Sequence, residues 1–246
     1  MVDTAANFSG SMPEYYDRIM GPGQFDVFAP DLVARVPAKP PGVRLVATDI
    51  SKPMLEHARA KLAGVQGIEW READAAALPF ADASFGAVVC AFGVMFVPDK
   101  KRLFGEARRV LAEGGLLLFN VWDGLDASPA SRATNGVFEQ MFPGDPEMRF
   151  GLPFEFNDRG VLRSLLGGAR FGEKRMEPVR LEVRFPSARE LATGQLRGTP
   201  RGALLEKRGL ALDAIIEKCA AELAKVGGAA PFRSSAQALV VEAVAV

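Results

Sequence analysis

VRLVATDISKPMLEHARAKL, residues 43–62, decides the reading of this chain. An apolar run from Val43 to Thr48 stops at Asp49, and a helical pattern follows at once. Ser51 suits the N-cap and Pro53 the first turn, while Met54, Leu55, Ala58 and Leu62 fall on one stripe. The pattern recurs downstream. GIEWREADAAALPF (67–80) predicts a second strand ending near Asp74. GAVVCAFGVMFVPD (86–99) predicts a third, continuously apolar from Ala87 to Phe92, and GGLLLFNVWDG (114–124) a fourth over Leu116 to Val121. Between them Asp99 caps a helix striped by Leu103, Phe104, Ala107, Val110 and Leu111, with Gly114 as its stop. Short apolar runs alternating with amphipathic helices predict an α/β fold, with a mostly parallel sheet covered by helices on both faces. Such sheets bind ligands beyond the carboxyl ends of their strands. Asp49, Asp74 and the run Ala91, Phe92, Gly93 fall there.

Upstream, Met1 to Ser11 is small and polar and is expected to fray. PEYYDRIM and QFDVFAPDLVARV predict lead-in helices that cover a site or pack on the sheet, with Pro30 restarting the helix. AKPPG (38–42) reads as a stiff link. Downstream, Asp123 to Asn157 is rich in Gly and Pro and reads as a long lid-like loop carrying Phe138, Phe142, Phe150, Phe154 and Phe156. Those rings are either the lid's own small core or the wall of an apolar pocket. Asp158 starts a helix, and Val179 to Phe185 alternates as a strand near an edge does. Ser187 to Val226 is helical, and ALVVEAVAV closes the chain as a strand deep in the sheet. The expected organisation is one domain over 1–246, with its sheet core at about 37–125, 158–186 and 236–246 and cap elements at about 12–36, 126–157 and 187–235.

Lys plus Arg and Asp plus Glu both number 30, which argues against a nucleic-acid partner held by counterion release. Two cysteines, Cys90 and Cys219, make no disulfide framework, and Cys90 reads as a buried free thiol. No apolar run reaches membrane-spanning length, and the first residues lack the pattern of a signal peptide, so a cytoplasmic protein is expected. No metal-ligand cluster and no nucleophile–His–acid arrangement is present, and His57, the only histidine, reads as a surface residue.

DISKPMLEHARAKL, READAAALPFADASFGAVVCAFGVMFVPD and EARRVLAEGGLLLFNVWDG together resemble the class I S-adenosylmethionine-dependent methyltransferases, in the small-molecule branch of ubiquinone and menaquinone biosynthesis. PEYYDRIMGPGQFDVFAPDLVARV resembles that branch's N-terminal helices, and EPVRLEVRFPS with the final strand its last two strands. The resemblance implies a Rossmann-like sheet with an antiparallel C-terminal strand and helical cap elements. One part is missing. The family places a strand, a glycine-rich loop and a helix before the strand ending in the acidic residue, a unit of about 20–30 residues. Here Val36 runs through AKPPG straight into VRLVATD. Either the chain is shortened, or Val43 to Thr48 moves over to pair with Ala87 to Phe92.

The resemblance implies S-adenosylmethionine as cofactor. Asp49 would accept from the ribose hydroxyls and Ile50 would pack on adenine. Asp74 would accept from the adenine amino group, and the Ala75 amide would meet a ring nitrogen. Ala91 and Phe92 would face the methionine moiety. Tyr16 would reach the cofactor carboxylate or the substrate, or serve as a packing aromatic. No catalytic residue is named, since displacement at a sulfonium methyl needs positioning and exclusion of water more than acid–base help. The implied substrate is a small hydrophobic or aromatic metabolite, and a homodimer is possible. A non-catalytic binding or dimerising relative and a cofactor-free enzyme on the same fold are the alternatives.

Overall fold

The computed structural model describes residues 12–37 and 42–246. The expectations for Met1 to Ser11 and for the link before Gly42 lie outside them. The strands are β1 (Leu45–Asp49), β2 (Ile68–Glu72), β3 (Phe85–Ala91), β4 (Leu111–Trp122), β5 (Phe171–Phe185) and β6 (Phe232–Ala245). The helices are α1 (Met12–Tyr15), α2 (Ala29–Arg35), α3 (Lys52–Lys61), α4 (Lys100–Val110), α5 (Pro129–Met141), α6 (Arg159–Gly168), α7 (Ala188–Arg197), α8 (Pro200–Lys207) and α9 (Leu212–Gly227). A wide-turn helix over Tyr16–Phe25 continues α1.

The fold is the expected Rossmann-like α/β arrangement, but its sheet comes in two pieces. One is β1 beside β2, parallel, from Leu45 opposite Ile68 to Asp49 opposite Glu72. The other has the order β3-β4-β6-β5, with β3 and β4 parallel and β6 antiparallel to both of its neighbours. The pairing of Val43 to Thr48 with Ala87 to Phe92 does not form. Among the described residues β1 and β3 each keep a single partner, so the break falls between them.

Alternation along β4 sorts the core. Leu117, Phe119 and Val121 pack with Leu103, Phe104 and Ala107 of α4 and Leu162 and Leu166 of α6. Leu116 and Leu118 face the other way, onto Leu32 of α2. Side chains two apart share a face of a strand, so one strand serves both layers. Glu242 is the one acid in the apolar run of β6. It is 5 % exposed, and its Oε1 accepts from Arg35 Nη1 of α2 at 2.9 Å. Arg35 also binds Asp31 at 2.9 Å and Glu177 at 2.8 Å. This ion-pair group fastens α2 across β6 and β5.

Several boundaries depart from the expectations. α4 stops at Val110, and Gly114 instead takes a φ of 73° inside an irregular start to β4. β5 begins at Phe171, eight residues before the alternating run. The lid is not one loop. Its first half is α5, thirteen residues long, entered through Pro129 and followed by short 3-10 turns. Ser187 to Val226 divides into α7, α8 and α9. The caps at Asp99 and Asp158 hold as expected, accepting from Arg102 N at 2.9 Å and Val161 N at 2.8 Å.

Candidate functional site at the strand ends

The carboxyl ends of β1 and β2 meet through one backbone bond, Ala73 N donating to Asp49 O at 3.0 Å. Asp74 therefore stands beside Asp49. β2 itself ends at Glu72, two residues before the expected end. Asp49 Oδ1 accepts from Ser51 N at 2.7 Å. Burial pushes the Asp49 carboxyl up from its ordinary value, opposed by the Ser51 and Ile50 amides. Asp74 makes a tight turn of its own. Its Oδ1 accepts from Ala76 N at 2.8 Å and its carbonyl from Ala77 N at 2.9 Å. One carboxylate oxygen is thus committed to the turn. Among the described residues the Ala75 N–H has no backbone acceptor. Ile50 is 50 % exposed at the rim.

The end of β3 is built differently. Ala91 is exposed, and the chain turns at Phe92 with a φ of 52°, a left-handed conformation unusual for a bulky residue. Asn120 on β4 holds that turn, its Oδ1 accepting from Phe92 N at 2.8 Å. Asn120 is fully buried, and its Nδ2 has no partner. A Cβ at Gly93 would come within 2.8 Å of Cys90 Sγ, so any larger residue there would have to displace the Cys90 side chain. Burial pushes the Cys90 thiol up, although the residue as a whole, on the open edge of β3, is only half-buried.

Phe92 does not present its ring to an open cleft. The ring lies 4.1 Å from Trp122, 5.3 Å from Phe25 and 5.4 Å from Phe28. Tyr16 stacks on Phe25 at 5.1 Å, and Phe154 of the lid on Trp122 at 5.9 Å. Burial, with the charges of Asp26 and Asp49, holds the Tyr16 hydroxyl above its ordinary value. An aromatic wall thus separates the strand ends from the lid. Behind it lies a cavity of about 590 Å³ lined by Phe138, Phe142, Met148, Phe154, Arg132 and Arg149 among others. It shares no lining residue with the Asp49–Asp74 rim. Both readings of the lid phenylalanines apply, since Phe138 and Phe154 are buried in the core and also face the cavity. Arg201 sits over Phe138 and Phe150, and burial pushes its guanidinium down to about 10.

Sequence reasoning missed three groups here. Asn120 was marked only by being polar in LLLFNVW. Arg201 carries no signal among ordinary surface arginines. Arg109 and Glu106, inside the phrase EARRVLAEGG, latch the loop before β3. Arg109 donates to the carbonyls of Phe80 at 2.7 Å and Leu78 at 2.8 Å, and Glu106 accepts from Leu78 N at 2.8 Å. His57 lies 3.1 Å from Asp17, away from any reacting position. Among the described residues no group of three or more His, Cys, Asp or Glu could hold a metal ion, and no helix is long and apolar enough to cross a membrane.

This geometry is a Rossmann-like α/β fold with a broken sheet. Residues 30–119 match the family described as methyltransferase domain. Over 166 residues the chain is 37 % identical to the demethylmenaquinone methyltransferase of Thermus thermophilus, covering 65 % of each protein. Over 161 residues it is 30 % identical to the ubiquinone/menaquinone biosynthesis C-methyltransferase of Desulfotalea psychrophila, covering 57 % of this chain and 61 % of that enzyme. The chain thus spans just under two thirds of the length of these relatives. Among solved structures, the YcgJ protein of Bacillus subtilis superposes with a TM-score of 0.50 at 14 % identity, over 83 % of this chain and 84 % of that one. The cyclase SpnF gives a TM-score of 0.50 at 16 % identity, over 95 % and 79 %. These two share the fold. The chain is thus similar to small-molecule methyltransferases over these stretches, with the methyltransferase-domain match confined to residues 30–119.

Proposed function

We propose that this protein transfers a methyl group from S-adenosylmethionine to a small hydrophobic or aromatic metabolite. The observation that carries the proposal is the juxtaposition of Asp49 and Asp74 through the Ala73–Asp49 backbone bond. Two neighbouring carboxylates, a half-exposed Ile50 and the Ala75 N–H make an acceptor, acceptor, apolar and donor set that suits one nucleoside. Asp49 would hold the ribose hydroxyls with the oxygen that Ser51 leaves free. Asp74 would take the adenine amino group on its second oxygen, Ala75 N–H a ring nitrogen, and Ile50 the ring face. At the methionine end the buried Nδ2 of Asn120 is a donor in want of an acceptor, which a native interior seldom leaves. The ring of Phe92 is committed to the aromatic wall, so at that end Ala91 and the Asn120 amide are the contact groups.

The cofactor supplies an electrophilic methyl on a sulfonium. The chain's own part is to hold, orient and keep dry. The Phe92–Trp122–Phe154 wall excludes water between the rim and the cavity, and the partly buried Leu125 and Phe142 offer apolar surface to a substrate. The wall must part for nucleophile and methyl to meet, since rim and cavity do not communicate as they stand. A quinol-type aromatic substrate, of the kind the named relatives suggest, suits that surface.

A second reading, a binding protein that no longer takes the cofactor, is favoured by the wall and by the turn that occupies half of the Asp74 carboxylate. Thermal unfolding with S-adenosylmethionine separates the two. At a hundredfold excess over the dissociation constant, binding adds about 2.7 kcal/mol. No shift at millimolar ligand selects the second reading.

A further inference from the structure

The lid helix carries a buried polar side chain that the fold leaves half used. α5 turns Thr134, Val137 and Phe138 into the core, and Asn135, on the same buried side, is only 5 % exposed. Thr134 is satisfied there, donating to Gln195 Oε1 at 2.7 Å. Asn135 is satisfied at one end only. Its Nδ2 donates to Glu139 Oε1, one turn further on, at 2.7 Å. A carboxylate accepts and does not donate, so that bond fixes which way round the amide sits. The amino group faces Glu139 and Oδ1 faces away. Among the described residues nothing donates to that Oδ1. Unlike Nδ2 of Asn120 it is not sealed in, and Asn135 lines the cavity of about 590 Å³. Asparagine is a poor residue for the middle of a helix, and a buried acceptor without a donor is rare in native interiors.

Gly151 stands opposite, also in the lining. A Cβ added there would lie 3.4 Å from Asn135 Oδ1 and 3.5 Å from Leu125 Cδ2, ordinary contact distances that would cover the acceptor. The φ of Gly151 is −71°, so no backbone strain calls for glycine. What the missing side chain does is leave the oxygen open. The charges of the lining are closed off in pairs. Arg132 pairs with Glu139 at 3.5 Å, Arg149 with Glu155, and Asp145 with Arg208, just past α8. Every charged side chain of the lining thus has an opposite partner, and a charged ligand meets no unmatched counter-charge. Leu125 and Phe142, both partly buried, supply the apolar share.

The geometry points to Asn135 as the residue that selects the ligand of this cavity, its Oδ1 accepting from one O–H or N–H donor on an uncharged aromatic ring. A ring without a donor leaves the oxygen dry and unpaired, and sites built around a buried acceptor reject such analogues for that reason. A ring bearing a carboxylate or phosphate brings a charge that the paired side chains do not answer. The inference deepens the methyl-transfer reading, and rests on it only in calling the ligand a substrate.

The test is titration of the full chain, without S-adenosylmethionine, by ligand-observed NMR with three probes of similar shape: naphthol, methylnaphthalene and naphthoate. Naphthol should bind about three- to tenfold tighter than methylnaphthalene, the ratio that one hydrogen bond supplies, and naphthoate should bind weakest. Asn135→Leu should erase the preference by weakening naphthol alone. Gly151→Ala, which lays a methyl over the oxygen at a distance the fold accepts, should reduce it, and keeps the test decisive if the first variant misfolds. Equal affinity for naphthol and methylnaphthalene overturns the proposal. So does a preference that neither variant changes, or no binding of any probe. Tightest binding of naphthoate overturns it too, and moves recognition to Arg201, whose Nη1 is buried without a partner beside Phe138 and Phe150. Because the cofactor is left out, the result does not depend on whether the rim binds it, so this inference and the methyl-transfer reading fail separately.

Discussion

The four-stranded piece and the two-stranded piece of the sheet are written in similar residues and end up in different states. β4 and β6 are buried almost throughout, with Leu118, Phe119, Val121, Leu239 and Val241 inaccessible. β1 and α3 contain no fully buried residue, although three of the five residues of β1 are apolar. The difference lies in neighbours. β4 has a strand on each side and helices on both faces, whereas β1 has one strand and one helix. Burial is thus a property of position in the sheet as much as of composition, and the break leaves β1, α3 and β2 as a lightly attached flap carrying both carboxylates.

Paired truncations test this contrast. Leu118→Ala should cost about 2–5 kcal/mol in chemical denaturation, as for a fully buried leucine, and Leu45→Ala less than about 1 kcal/mol. Equal costs would break the comparison. Glu242→Ala should cost about 1–2 kcal/mol, because Arg35 loses one of its three acid partners while keeping Asp31 and Glu177, and Glu242→Gln should cost less. A flap that is only lightly attached should also exchange its amides by local opening, with β1 and β2 well ahead of β4 and β6.

A smaller effect concerns the tether of the flap. Asp17 on the lead-in helix pairs with Lys61 and His57 of α3. Burial alone would raise the Asp17 carboxyl, but these two partners outweigh it and hold it below its ordinary value. A depressed carboxyl contributes stability above the unfolded value of about 3.9, and that stability is lost as pH falls through the folded value. Relative to the intrinsic rate at each pH, the protection of α3 should therefore fall below about pH 4 while that of β4 and β6 holds. Asp17→Asn should remove that response. The tether is partly exposed, so it is worth no more than about 1 kcal/mol.

Much of this was legible in the chain. Strand positions, the caps at Ser51, Asp99 and Asp158, the edge character of Val179 to Phe185 and the deep final strand follow from local pattern. So did the missing unit, because AKPPG leaves no room for it. What sequence did not disclose depends on partners far away in the chain. Glu242 and Arg35 are 207 residues apart, and only the acid within VVEAV hinted at them. α5 was hidden by the Ser, Pro, Gly and Asn content of its segment, which reads as loop until Val137 and Phe138 find the core. The ring of Phe92 was expected at the ligand and lies in the wall, because Asn120 fixes the turn that aims it there.

The grip of Asp49 on the nucleoside is the claim on which the functional account rests, and calorimetric titration with S-adenosylmethionine, on the unaltered chain and on Asp49→Ala, tests it most directly. Losing hydrogen bonds to a charged group is worth about 1.5–3 kcal/mol, so affinity should fall about 10- to 100-fold in the variant. Because burial raises this carboxyl, binding to the unaltered chain should also weaken with acidification sooner than an ordinary aspartate would allow. Equal affinity for the two proteins, or no heat with either, would contradict the account.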